Sequence, residues 1–244
     1  MFILLVWFKL FLVLFSVDVT YGARSAAGPQ CTEVHRLKAN RCAEQLFFVG
    51  RNSRQIPETE VQLQKHCTET GPLMRCVTDF SNRCRQGLHR TMSTVMVATV
   101  KFNNKNYCMM TEKSQELMAM ATCSNVIKSE TNQCLDVFLL ALGRANHAHR
   151  RHRIPHGCCA YYQMKTCVLN EAAKHNIPGG RCTGHRVEYV ERYMNSMAGN
   201  TLNLMCGDYD EDSDRCQKLS PLPTDADIEP AESIFAGFGK LIGH

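Results

Sequence analysis

The stretch CTEVHRLKANRC, residues 31–42, returns in outline as CSNVIKSETNQC at residues 123–134. Both read C-x10-C, and a step of eleven residues turns about 20° past three full turns of an α-helix, so each pair of cysteines falls on one helical face. In the first stretch Val34, Leu46 and Val49 extend that face; in the second Val126, Ile127, Val137, Phe138 and Ala141 do so. Two helices that can each be stapled twice to a neighbour are therefore expected. Working outward, Cys31, Cys42 and Cys67 recur 92 residues later as Cys123, Cys134 and Cys159. Cys76 recurs 91 residues later as Cys167, and Cys84 and Cys108 recur 98 residues later as Cys182 and Cys206. Val34 with Val126, Asn40 with Asn132 and Cys76-Val77 with Cys167-Val168 agree in the same frame. The reading is an all-α fold of two tandem disulfide-stapled helical repeats with six equivalent cysteines each, over residues 31–110 and 111–216.

Further helices are expected near 73–84, 87–101, 112–123 behind a Thr111 cap, 158–174 and 184–198, and few segments alternate with period two. Each repeat of about 90 residues can bury only a modest core, so disulfides closing loops of about ten to thirty residues should supply much of its stability. Cys158 and Cys216 have no counterpart in the first repeat. Subtraction pairs them with each other and leaves Cys159 bonded inside the second repeat.

Composition sets the compartment. The 244 residues are 44% apolar and 21% charged, with a net charge of +5, as in ordinary globular proteins. Fourteen cysteines, an even number with no C-x-x-C among them, disfavour zinc ribbons and thioredoxin-like sites and favour a closed disulfide framework formed outside the cytosol. Phe2 to Val17 is apolar except for Lys9 and Ser16 and gives way to Asp18, Gly22 and Ala23. Residues 1–22 thus read as a secretory signal peptide, cleaved after Gly22 or, second, after Ala27, with 23–30 as a short linker. No later apolar run is long enough to span a membrane, so a secreted, extracellular chain is expected. No N-x-S/T sequon is present. Residues 217–244 hold Pro221, Pro223 and Pro230 among several acids, then a short amphipathic stripe of Ile234, Phe235, Phe238, Leu241 and Ile242 that could dock on the body or on a partner.

The most unusual local chemistry is RANHAHRRHRIPHGCC, residues 144–159. Arg144, His147, His149, Arg150, Arg151, His152, Arg153 and His156 form a candidate anion-binding loop for a sulfated glycan, a lipid head group or a protein, nucleic acid being the disfavoured partner. The same histidines could hold zinc or copper, but the arginines would repel a cation, so no metal or other cofactor is expected. Arg150 to Arg153 also carries a dibasic processing pattern. A solvated loop between helices is the plain alternative. The acidic run GDYDEDSD, residues 207–214, lacks the glycine and glutamate of a calcium loop and reads as a solvated acidic turn facing the basic loop. Cys158-Cys159 invites comparison with the C-C-x-x-H-D helix of secreted phospholipase A2, but Tyr162 and Gln163 stand where its catalytic His and Asp would be. Met92, Met96, Met118, Met194 and Met197 lie at helical spacing and suit either a core or a pocket for apolar ligands.

From Cys31 to Cys216 the cysteine order resembles the secreted cysteine-rich helical domains of unknown function of nematodes and arthropods. That resemblance implies secretion and a stapled helical fold, and it brings no catalytic residues. The functional expectation is an extracellular binding protein without catalytic activity. An apolar-ligand carrier, a venom or salivary effector and a lipid-acting enzyme are the alternatives. The carrier requires an enclosed apolar pocket in the helical body.

Overall fold

A computed structural model describes residues 31–242 apart from Val49, Asn52, Met110, Asp212, Asp225 and Ala226. The expected signal peptide and the 23–30 linker lie outside the described residues. Eight α-helices and one 3-10 turn (Asp214–Lys218) account for the regular structure, with no strand among the described residues. They are α1 Glu33–Phe47, α2 Glu60–Cys84, α3 Gly87–Cys108, α4 Glu112–Ser124, α5 Lys128–Ala145, α6 Arg150–Lys174, α7 Arg186–Cys206 and α8 Ile234–Ile242. The all-α expectation holds. None of these helices is long and apolar enough to cross a membrane.

Local chemistry explains most boundaries. Thr59 and Gln62 make a reciprocal capping box, each side chain accepting from the other's backbone N–H at 3.3 Å, and start α2 thirteen residues before the expected position. Thr111 caps α4 as expected, its N–H donating to Ser114 Oγ at 2.8 Å. The second C-x10-C stretch departs from expectation. It is not one helix, because Cys123 closes α4 and Cys134 sits in α5 beyond a turn at 125–127. Asn125 holds that turn against the loop before α2: its Oδ1 accepts from Ile56 N–H at 2.9 Å, and its Nδ2 donates to Ile56 O and Glu58 Oε1 at 2.8 Å. In α1, Val34 faces solvent while Ala39, Ala43 and Leu46 are buried, so the inward face is rotated from the expected one.

All fourteen cysteines are bonded. Cys31–Cys84, Cys42–Cys76 and Cys67–Cys108 tie α1, α2 and α3. Cys123–Cys182, Cys134–Cys167 and Cys158–Cys206 tie the chain from α4 to α7, and Cys159–Cys216 anchors the 3-10 turn to α6. The expected Cys158–Cys216 bond is therefore corrected: the adjacent cysteines are exchanged, Cys158 bonding Cys206 and Cys159 bonding Cys216. The reason is helical register. Cys67 and Cys76 are nine residues apart on α2, as are Cys158 and Cys167 on α6, so the one-residue offset falls in a loop and not inside a helix. The bonded pairs are separated by 33 to 59 residues, more than the ten to thirty expected.

One buried cluster draws on both sides of residue 110, joining Leu46, Leu63, Val100 and Tyr107 to Leu117, Ile127, Val168 and Met197. Its centre is the pairing of α3 with α7. Thr99 meets Asn200, Asn103 donates to Ser196 O at 3.0 Å, and Tyr107 stacks on Tyr193, so the two helices run antiparallel. A second cluster around Phe138, Leu142, Tyr161 and Leu202 takes in Ala231 and Leu241 of the C-terminal segment, which docks on the body.

Candidate functional site

Between these clusters lies an apolar cavity of about 200 Å³. Its wall is assembled from distant parts of the chain: Ala39, Ala43 and Leu46 of α1, Val77 and Phe80 of α2, and Met92, Met96 and Val100 of α3. Tyr161 and Met164 of α6 and Met194, Met197 and Met205 of α7 complete the sides. Helix α8 covers it with Ile234, Phe235, Phe238 and Ile242. Six methionines thus face one space. Of those singled out in the sequence, Met92, Met96, Met194 and Met197 meet here, whereas Met118 packs in the first cluster.

Helix α8 is held over the cavity by its own contacts. Ala231 N–H donates to Leu139 O at 2.9 Å, Ser233 Oγ accepts from Ala236 N–H at 3.1 Å as an N-cap, and Arg36 pairs with Glu232. Phe235 packs on Phe47 and Phe238 on Phe138, with ring centroids 5.2 and 6.1 Å apart. Gly157 of α6 permits the approach, since a Cβ there would lie 2.6 Å from Leu241 Cδ1.

The few polar groups in the wall stand out. Ser81 Oγ, Tyr193 Oη and Thr201 Oγ1 are buried without a hydrogen-bond partner. Burial pushes the Tyr193 phenol upward, well outside any physiological range. Ser93 Oγ donates to the His89 carbonyl at 3.0 Å, an ordinary bond within a helix. At one edge Arg85 lies beside α8, its Nη1 3.7 Å from where a Gly239 Cβ would sit, with its guanidinium over Phe80. Burial, then the nearby Arg36, lowers the Arg85 pKa. Comparison of the chain with protein-family models, curated proteins and solved structures finds no match.

The basic segment is not a loop. Arg144 ends α5, His147 and His149 occupy the turn, and Arg150, Arg151, His152, Arg153 and His156 lie in the first turns of α6. His147, His149, Arg150 and Arg151 are exposed, Arg144, His152 and Arg153 are half-buried, Arg153 Nε donates to Ala148 O at 3.2 Å, and none of the four arginines pairs with a carboxylate among the described residues. His156 departs from the expected surface role: it is buried, and burial followed by the charge of His152 lowers its pKa. Among the described residues no three His, Cys, Asp or Glu side chains converge at metal-ligating spacing. Among the described residues of the acidic run 207–214 no carboxylate pairs with this patch. Glu211 reaches the buried Lys165 ammonium at 2.6 Å, joined by Glu191 at 3.0 Å, and Asp208 pairs with Arg215 at 2.6 Å.

The cavity was only half signalled in the sequence. Methionine spacing marked α3 and α7, and the amphipathic stripe from Ile234 to Ile242 marked a segment able to dock, but Met164 and Met205 reach the site through tertiary packing that periodicity does not encode.

Proposed function

We propose that this chain is a secreted, non-catalytic binding protein that carries a small apolar molecule in the methionine-lined cavity. The observation that carries the reading is the cavity itself. An engineered apolar cavity of about 150 Å³ takes up benzene, so a space of about 200 Å³ suits a compact apolar ligand somewhat larger than one aromatic ring. Methionine is unbranched and polarisable, which favours a wall that adapts to varied shapes. Seven disulfides are compatible with an extracellular setting, and the resemblance to invertebrate secreted cysteine-rich domains belongs to the same proposal. The common pairing order of the two sets of cysteines, with α3 antiparallel to α7, supports descent of residues 31–110 and 111–216 from one duplicated module.

The test is calorimetric titration of the intact chain with 1-decanol. Binding is expected in the wild type and loss of it in Ala198→Phe, which fills the cavity from α7, with helical circular dichroism retained. A wild type that takes up no decanol, or an Ala198→Phe variant that still binds it fully, overturns the reading.

A second reading is carried by the arginines without carboxylate partners around the 146–149 turn: Arg144 at the end of α5, and Arg150, Arg151 and Arg153 at the start of α6, where the helix dipole adds further positive potential. This patch fits an anionic glycan or head group. Retention on heparin should fall steeply with salt and disappear when Arg144, Arg150, Arg151 and Arg153 are all replaced by Gln. Unchanged retention in that variant rules the patch out.

A further inference from the structure

The cavity wall is mostly apolar, but one guanidinium, that of Arg85, and the unpartnered hydroxyls of Ser81, Tyr193 and Thr201 also line it, and the cation together with the nearby Ser81 specifies a ligand more narrowly. Resting on the carrier reading above, we infer that the ligand is a single-chain carboxylate amphiphile whose chain lies among Met92, Met96, Met194 and Met197 and whose head group is taken by Arg85 and Ser81. Three observations carry this. Arg85 lines the cavity, is partly buried and has no carboxylate partner among the described residues, and apart from His89 no other basic or acidic side chain lines the cavity. Ser81, one helical turn earlier on α2, is more than nine-tenths buried, lines the same cavity and leaves Oγ without a partner. Neighbouring Arg36, the other guanidinium close enough to act on Arg85, is already committed to Glu232 and Glu33.

A guanidinium brought out of water beside an apolar space with no anion to meet it loses hydration and gains only its contact with the Phe80 ring. A carboxylate supplies the missing partner and can accept two parallel N–H bonds from Arg85 while also accepting from the Ser81 hydroxyl. A neutral alcohol of the same chain length would fill the cavity equally well but could make only one of these bonds as an acceptor of ordinary strength. An alkylammonium would set a second cation against Arg85. The cavity offers about 200 Å³ beneath α8, which limits the part of the chain it can bury to a short or medium length.

The experiment compares decanoate, 1-decanol and decyltrimethylammonium on the full chain with its disulfides formed, in wild type, Arg85→Gln, Arg85→Lys and Ser81→Ala. Decanoate should bind wild type most tightly and weaken about tenfold or more in Arg85→Gln, with decanol affinity unchanged. Arg85→Lys should recover part of the loss, and Ser81→Ala should weaken decanoate by a smaller factor. Equal affinity for decanoate and decanol, with no effect of Arg85→Gln, overturns the head-group assignment and leaves the carrier reading standing. Binding of neither probe to wild type overturns both. If Arg85→Gln does not fold, the wild-type ranking decides: decyltrimethylammonium bound as tightly as decanoate overturns the inference.

Discussion

Lys165 is the residue where burial and charge are most sharply opposed. It is 2% exposed, in the middle of α6, yet its ammonium holds Glu211 at 2.6 Å and Glu191 at 3.0 Å, both half-exposed. Burial alone would lower its pKa; the two hydrogen-bonded carboxylates outweigh that and raise it. A folded-state value above the unfolded one means the stabilisation is complete below about 10.5 and is lost as pH rises through the folded value. Lys165→Ala should cost about 2–3 kcal/mol at pH 7, from lost charged hydrogen bonds and the emptied stem, whereas Lys165→Met keeps the stem and should cost about half as much. Urea unfolding of both variants against wild type at pH 7 and again near pH 11 checks this, the wild-type advantage shrinking at the higher pH. A lysine in a helix reads in the sequence as a solvated charge. Nothing in its neighbours Met164 and Thr166 announces burial, because both of its partners arrive from other parts of the chain.

At the scale of elements, what could be read from the sequence followed local chemistry, and what could not depended on distant backbone. Helices α3 and α4 begin where Gly87 and Thr111 mark them. The start of α2 was hidden by Gly71-Pro72, a breaker signal that the helix runs through, although the Thr59/Gln62 box was there to be read. The first turns of α6 are masked in the sequence by a polar run that also holds Pro155 and Gly157; the proline is near enough to the N-terminus to be accommodated, and the glycine allows the approach of α8. Gly143 on α5 has the same role more severely, since a Cβ there would lie 2.2 Å from the Glu229 carbonyl oxygen. Backbone cannot yield as a side-chain tip does, so Gly143→Ala should displace the 229–233 strap, break Ala231 N–H to Leu139 O and release α8. A destabilisation of about 1–3 kcal/mol is expected, with new proteolytic cleavage between residues 217 and 233. Gly199→Ala on α7 is the control: nothing lies within 4 Å of its added Cβ, and helix propensity then favours alanine by up to about 1 kcal/mol. Equal proteolytic resistance in Gly143→Ala and wild type would mean that α8 is not held by this approach.

For the whole molecule, the disulfides and the core answer different needs. Each staple closes a loop of 33 to 59 residues, and loop closure on that scale is worth about 4 kcal/mol in the unfolded chain before any native strain. The shared core, however, crosses residue 110, so neither half keeps its buried face without the other. Cysteine order made the staples legible in outline, while the choice between Cys158 and Cys159 required knowing that residues 150–174 form one unbroken helix. On such a helix adjacent side chains diverge by about 100°, so the two sulfurs address different neighbours: Cys158 faces α7 and Cys206, Cys159 faces the 3-10 turn and Cys216. They are not interchangeable without turning α6 about its axis and expelling Tyr161 and Lys165 from their sites. Thiol counting on protein unfolded in guanidinium without reductant therefore discriminates the pairings, since Cys159 and Cys206 are buried in the fold. Cys159→Ala/Cys216→Ala should show no free thiol, because Cys158–Cys206 still closes, and should lose mainly the anchorage of the 3-10 turn and of the strap that follows it. Cys158→Ala/Cys216→Ala should instead expose two titratable thiols, Cys159 and Cys206, which face different directions. The reverse pattern would restore the pairing expected from subtraction and would place the one-residue offset inside α6, where helical register leaves no room for it.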